Sequence, residues 1–206
     1  MSNIERICVF GDSTAWGAWD CERGGWVNRL WLFVGERYLS HQGDFKEFYN
    51  LSISGATSQT ILDRFENEVK IREAEAIIFQ TGNNDSAFLK ELGNYWIKPD
   101  QFRANIEEII KRAKNITSNI IFIGAEKMDE TKTKPVSWAD VYYVNESIKK
   151  YNDIMQEACL REGVLFLDTF NLLDNNDLKD GVHPNSSGHT KIFEKVKECL
   201  INQAWI

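Results

Sequence analysis

Much is scarce in this chain, and each scarcity removes a class of function. The four cysteines, Cys8, Cys21, Cys159 and Cys199, are widely separated and form no CxxC pair, so neither a zinc ribbon nor thioredoxin-like redox chemistry is indicated. They read as reduced thiols, Cys8 and Cys159 within apolar patterns and Cys21 in a polar loop. The three histidines, His41, His183 and His189, show no HxH or HExxH spacing and no clustered carboxylates, so no metal site is expected. The glycines form neither GxGxxG nor a Walker loop, leaving no dinucleotide or nucleoside triphosphate motif. Basic charge is also short. The net charge is −7, with Lys and Arg dispersed among carboxylates, which argues against nucleic acid as a partner. No apolar run nears the roughly 20 residues of a membrane span. The apolar stretch of MSNIERICVF is too short for a signal peptide, and a cytoplasmic location is expected.

What remains is the composition of an ordinary folded domain, 43% hydrophobic and 27% charged. A length of 206 residues fits one domain, residues 1–206. Short, nearly continuous apolar runs at 6–10, 76–80, 119–124 and 164–168 read as parallel strands covered on both faces. A weaker run at 47–53 reads as an edge strand. Helix-period segments at 25–39, 58–70, 100–114, 140–161 and 188–202 alternate with them, Pro99 and Asp100 opening the third and Ser187 a candidate cap for the last. Such alternation predicts an α/β fold: a three-layer α/β/α sandwich around a parallel sheet. Ligands of open α/β sheets gather beyond the carboxyl ends of the strands, so functional residues should follow strands.

Four polar segments do so. Gly11, Asp12, Ser13 and Thr14 follow the first strand, where Ser13 is either an exposed nucleophile or a helix cap. NLSISGATS follows the second, and Gly55 there is either a turn glycine or a backbone donor that approaches a ligand closely. QTGNNDSAF follows the third, and its Asn84 is either part of an Asx-turn or a side-chain donor to a developing oxyanion. DGVHPNSSGH places Asp180 three residues before His183, close enough for a carboxylate to orient an imidazole that takes a proton from serine. Asp12, Asp85, Asp174 and Asp177 are substitutes for the acid. His41 reads as incidental and His189 as a capping or packing residue, because a helix N-terminus disfavours imidazolium.

In family order, these segments resemble the four sequence blocks of the SGNH hydrolases, the GDSL esterase and lipase family, over residues 8–189. The first reads GDST where the eponymous form continues with leucine, a departure at Thr14 outside the catalytic positions. No Gly-x-Ser-x-Gly elbow is present, unlike the α/β-hydrolases. The resemblance implies a flavodoxin-like sheet of about five strands. It also implies an acyl-enzyme mechanism without a cofactor, in which Ser13 is the nucleophile, His183 the base and Asp180 its partner. Ser13 N–H, Gly55 N–H and the Asn84 side chain would form the oxyanion hole. The expected partner is a small-molecule acyl ester, with carbohydrate O-acetyl esters, lysophospholipids and thioesters as alternatives within the family. Trp16, Trp19, Tyr95, Trp96 and Trp138 are candidate pocket walls. A reading of another class, a non-enzymatic flavodoxin-like binder of phosphate or FMN at residues 11–14, explains Ser13 but assigns nothing to Asp180 and His183.

Overall fold

The computed structural model describes residues 4–206. Five parallel strands form the central sheet, in the order β2-β1-β3-β5-β7: β1 Arg6–Gly11, β2 Glu47–Asn50, β3 Ala76–Gln80, β5 Ile120–Ile123 and β7 Leu165–Leu167. Every side chain of β3 is buried, because apolar layers cover both faces. Alternate residues serve the two layers. Phe10, Phe79 and Phe122 share one core, their rings in successive contact at 5.7 and 4.9 Å, while Val9, Ile78 and Ile121 share the other.

Helices α3 (Ser58–Leu62), α4 (Phe65–Ile71), α6 (Pro99–Lys114) and α7 (Asn145–Glu162) cover the phenylalanine face. Helices α2 (Trp26–Leu39) and α8 (Ser186–Asn202) cover the opposite one. This is the three-layer α/β arrangement expected. Two single-turn helices, α1 (Ser13–Trp16) and α5 (Asn83–Ser86), stand directly after β1 and β3.

The departures from expectation have local causes. The segment 58–70 is two helices, since Arg64 leaves the helical path (φ −132°) and turns its guanidinium to the Leu51 carbonyl and Glu68. Helix α7 begins at Asn145 rather than 140 because Val141–Tyr142 (β6) pairs antiparallel with Phe88–Leu89 (β4), a two-stranded sheet with too few residues to leave a period. Asn185, not Ser187, caps α8, its side chain accepting from Gly188 N–H at 3.1 Å. Strand β2 ends at Asn50, yet the chain stays bonded to β1 through Leu51 N–H to Val9 O and Ile53 N–H to Gly11 O.

The chain leaves β1 for β2 on one side and then crosses to β3 on the other. Strand order therefore reverses between β1 and β3, and the crevice beyond their carboxyl ends is the preferred ligand position of such sheets. Ser13 and Asn84 stand on the two turns that flank it.

Candidate active site

The turn after β1 is held by Asp12, which caps α1 by accepting from Thr14 N–H at 2.9 Å. Ser13 follows as the first helical residue, so its N–H has no carbonyl one turn back to receive it. Burial raises the Asp12 carboxyl to about 6, against the Thr14 bond and the nearby His183, and its Oδ2 has no partner.

Ser13 Oγ lies 3.0 Å from His183 Nε2, and His183 Nδ1 lies 2.8 Å from Asp180 Oδ2. A carboxylate oxygen only accepts, so Nδ1 carries the proton and Nε2 presents a lone pair to the serine hydroxyl. Burial pushes the Asp180 carboxyl up, but the His183 side chain and backbone, with Val182 N–H, outweigh it and hold it well below the usual range. Trp19 Nε1 donates to the same Oδ2 at 2.7 Å. Such an arrangement can pass the serine proton to a fixed imidazole as Oγ attacks an electrophile.

Asn84 is buried, its Nδ2 donating to Ala56 O at 2.8 Å, while the Tyr143 hydroxyl donates to its Oδ1 at 3.0 Å. Gly55 precedes Ala56 in an exposed turn closed by Ala56 N–H to Ile53 O. Its φ of +79° is a left-handed conformation, and no atom stands within 4 Å of where a Cβ would be, so the backbone there is open to a ligand. The structure thus brings Ser13, His183 and Asp180 into one hydrogen-bonded chain and ties Asn84 to the turn that carries Gly55.

The substitute acids are otherwise engaged. Asp85 is fully buried and receives Ser58 N–H, Ser58 Oγ and Thr81 Oγ1, which joins α3 to the turn after β3. Asp174 and Asp177 pair with Lys191. His189 is fully buried with its Nε2 on Ala18 O at 3.0 Å, and burial lowers its pKa, in keeping with a packing role. Of the five candidate wall aromatics, Trp19 and Trp138 flank His183 at 6.1 and 5.9 Å between ring centroids. Tyr95 instead packs on Phe88 and Tyr151, a structural role. Burial pushes the Cys8 and Cys159 thiols up to about 12, which makes both inert. Among the described residues no group of three His, Cys, Asp or Glu side chains is placed to hold a metal ion.

The sequence assigns no role to Tyr143 or to the buried chain Trp26–Gln80–Glu126. Trp26 Nε1 donates to Gln80 Oε1, and Gln80 Nε2 to Glu126 Oε1, each at 3.0 Å. Gln80 and Glu126 end or follow strands, as the other polar clusters do; Tyr143 stands before a helix, where no such rule marks it.

The profile of the GDSL-like lipase/acylhydrolase family matches residues 9–191. The chain belongs to that family. It is a hydrolase of carboxylic esters, as the family is. Similar solved structures include a lipase/acylhydrolase from Enterococcus faecalis, 19% identical with a TM-score of 0.75, covering 97% of each chain. A catalytic mutant of the acetylxylan esterase Axe2 from Geobacillus stearothermophilus is 17% identical with a TM-score of 0.72, covering 94% of this chain and 93% of that one. LAE5, an alpha/beta hydrolase enzyme from the metagenome of Lake Arreo, is 18% identical with a TM-score of 0.73, covering 98% of this chain and 95% of that one. At such identities the likeness is one of fold. No curated protein matches the chain in sequence. Among the described residues no helix of this GDSL-like hydrolase is long and apolar enough to cross a membrane.

Proposed function

We propose that the protein is a serine esterase that cleaves small or short-chain acyl esters through an acyl-Ser13 intermediate. The observation that carries the reading is the continuous hydrogen-bonded chain from Ser13 Oγ through His183 to Asp180 Oδ2. His183 Nε2 takes the hydroxyl proton as Oγ attacks the ester carbonyl, and Asp180 stabilises the imidazolium. The developing oxyanion is received by Ser13 N–H, Gly55 N–H and the second N–H of Asn84 Nδ2, the first being bonded to Ala56 O. His183 then protonates the leaving alcohol, and the same residue activates water for deacylation.

The half-exposed indoles of Trp19 and Trp138, each within about 6 Å of the His183 ring, offer apolar surface for a compact acyl group on a larger alcohol. They also favour a sugar as that alcohol, because indole faces stack on the apolar faces of pyranose rings, and acetylated carbohydrates are accordingly the second reading. The phosphate-binder reading gives His183 and Asp180 nothing to do. A fluorophosphonate probe tests the assignment: wild type should label at Ser13 and Ser13→Ala should not. Equal labelling of the two, with the variant folded, would sink it. Turnover of acetylated sugars set against lysolipids and acyl thioesters then separates the substrate classes.

A further inference from the structure

Between α1 and α2 the chain makes a loop whose ends touch, since a Cβ on Gly25 would come within 2.3 Å of Gly17 Cα. Two of its residues are anchored to neighbouring helices. The Ala18 carbonyl is held by His189 of α8 at 3.0 Å. The Asp20 carboxylate, whose side chain has no exposure, receives Arg29 of α2 at 3.0 and 3.1 Å and Ser186 Oγ of α8 at 2.7 Å. Between these anchors Trp19 has φ +64°, a left-handed conformation that a bulky residue adopts only under constraint.

Burial does not supply the constraint, because Trp19 is 55% exposed. What the conformation achieves is the aim of the indole. Nε1–H reaches Asp180 Oδ2 at 2.7 Å, the oxygen that also receives His183 Nδ1, and the ring stands edge-on to His183 at 89°. Asp180 Oδ1 is fixed separately by Val182 N–H and His183 N–H, at 3.0 and 2.8 Å. Without the indole, Oδ2 keeps the imidazole alone.

We propose that Trp19 is a positioning residue for the His183–Asp180 pair, its indole N–H holding Asp180 Oδ2 in line with His183 Nδ1, and that the His189 and Arg29 anchors hold that indole in place. The proposal rests on the assignment of Ser13, His183 and Asp180 above. A ring that merely walled the pocket would need no donor and no strained backbone, and phenylalanine would serve as well. The indole N–H also shares the carboxylate's charge, so its removal strengthens Asp180 as a partner of imidazolium.

The test compares wild type, Trp19→Phe and Trp19→Ala in p-nitrophenyl acetate hydrolysis across pH. Trp19→Phe is expected to lower kcat about 10-fold, as loss of a hydrogen bond to a charged group implies, with KM little changed. The acid limb of its kcat/KM profile should move to higher pH. Asp12 and His189, the other titratable groups around His183, are common to all three proteins, so the shift belongs to the lost donor. Trp19→Ala should show the same fall in kcat with a higher KM. A Trp19→Phe enzyme with wild-type kcat and an unmoved acid limb overturns the proposal, as does one altered in KM alone. An independent readout on 15N-labelled protein is the Trp19 indole N–H resonance, which should lie downfield and move in Asp180→Asn; indifference to that substitution also overturns it. Wild type that neither hydrolyses the ester nor labels with fluorophosphonate would remove the esterase reading itself, an outcome distinct from an active enzyme indifferent to Trp19→Phe.

Discussion

The Tyr143 hydroxyl stands 3.0 Å from Asn84 Oδ1, on the opposite edge of an amide whose Nδ2 is 2.8 Å from the Ala56 carbonyl. A carbonyl only accepts, so the amine edge must face Ala56 and Tyr143 must be the donor. Burial of both residues, which also raises the Tyr143 phenol, leaves the amide no solvent-assisted alternative.

Tyr143→Phe fills the same space and deletes only the donor. With Oδ1 unpaired the amide is held by the Ala56 carbonyl alone, and under the proposed oxyanion role of Asn84 kcat should fall about 10-fold with little change in KM, the pattern of an interaction made in the transition state. Steady-state kinetics on a soluble acetate ester check it; a variant altered in KM alone would place Tyr143 in substrate binding instead.

His183→Ala removes the proposed acceptor of the serine proton, and turnover should fall by several orders of magnitude, on the order of 10⁴-fold or more. Asp180→Asn leaves the imidazole without an acceptor for Nδ1–H and should cost a comparable factor. Fluorophosphonate labelling rates report both losses without a chosen substrate, and a His183→Ala rate near wild type would exclude His183 as the base.

Asp20→Asn leaves the Arg29 guanidinium buried without a counter-charge, since that side chain is only 9% exposed. Breaking a buried pair from one side typically costs about 3–5 kcal/mol, and urea unfolding at neutral pH should show a loss of that order. Because Asp20 also braces Trp19, kcat should drop in the fraction that remains folded. Stability within about 0.5 kcal/mol of wild type would mean that the pair contributes nothing net.

Glu126 supplies a pH dependence of known sign. Burial raises its carboxyl from the ordinary 4.5 to about 8, with Asp12 adding to the rise and the Gln80 and Thr169 bonds opposing it. The folded state therefore retains a proton that the unfolded chain releases above about 4.5. That contribution is fully present below 4.5 and is lost as pH rises toward 8, on the order of a few kcal/mol. Glu126→Gln should flatten the decline in thermal stability over this window. Parallel curves for the two proteins would show that Glu126 is ionised in the fold.

The parallel strands and the four polar blocks were readable because each has a local cause. A strand buried on both faces must be apolar throughout, as Ile77, Ile78 and Phe79 are, and the groups at its carboxyl end are left free to be polar. The spacing of Asp180 and His183 was visible for the same reason: both lie in one short loop. Tyr143 was not, since its partner Asn84 lies 59 residues away and only the tertiary fold joins them. Trp19 was legible as a pocket aromatic but not as a donor to Asp180, 161 residues distant. Ser187 and Asn185 are both plausible caps by type, and the choice between them depends on which backbone N–H groups stay unpaired.

The touching glycines at the feet of the Trp19 loop have a further consequence. Because Gly17 and Gly25 meet, the α1–α2 connection closes on itself before α2 begins, and the exposed residues Cys21 to Gly24 are drawn back onto Asp20, whose Oδ1 accepts from Glu22 and Arg23 N–H. Loop lengthening costs only about (3/2)RT ln n in closure entropy, so what an insertion at that tip forfeits is its bonds to Asp20 and not chain entropy. The carboxylate that pairs with Arg29 thus also winds the loop tip around itself. Tip and indole are coupled through Asp20, so a change in loop length between Cys21 and Gly24 should be felt at the Trp19 contact to Asp180.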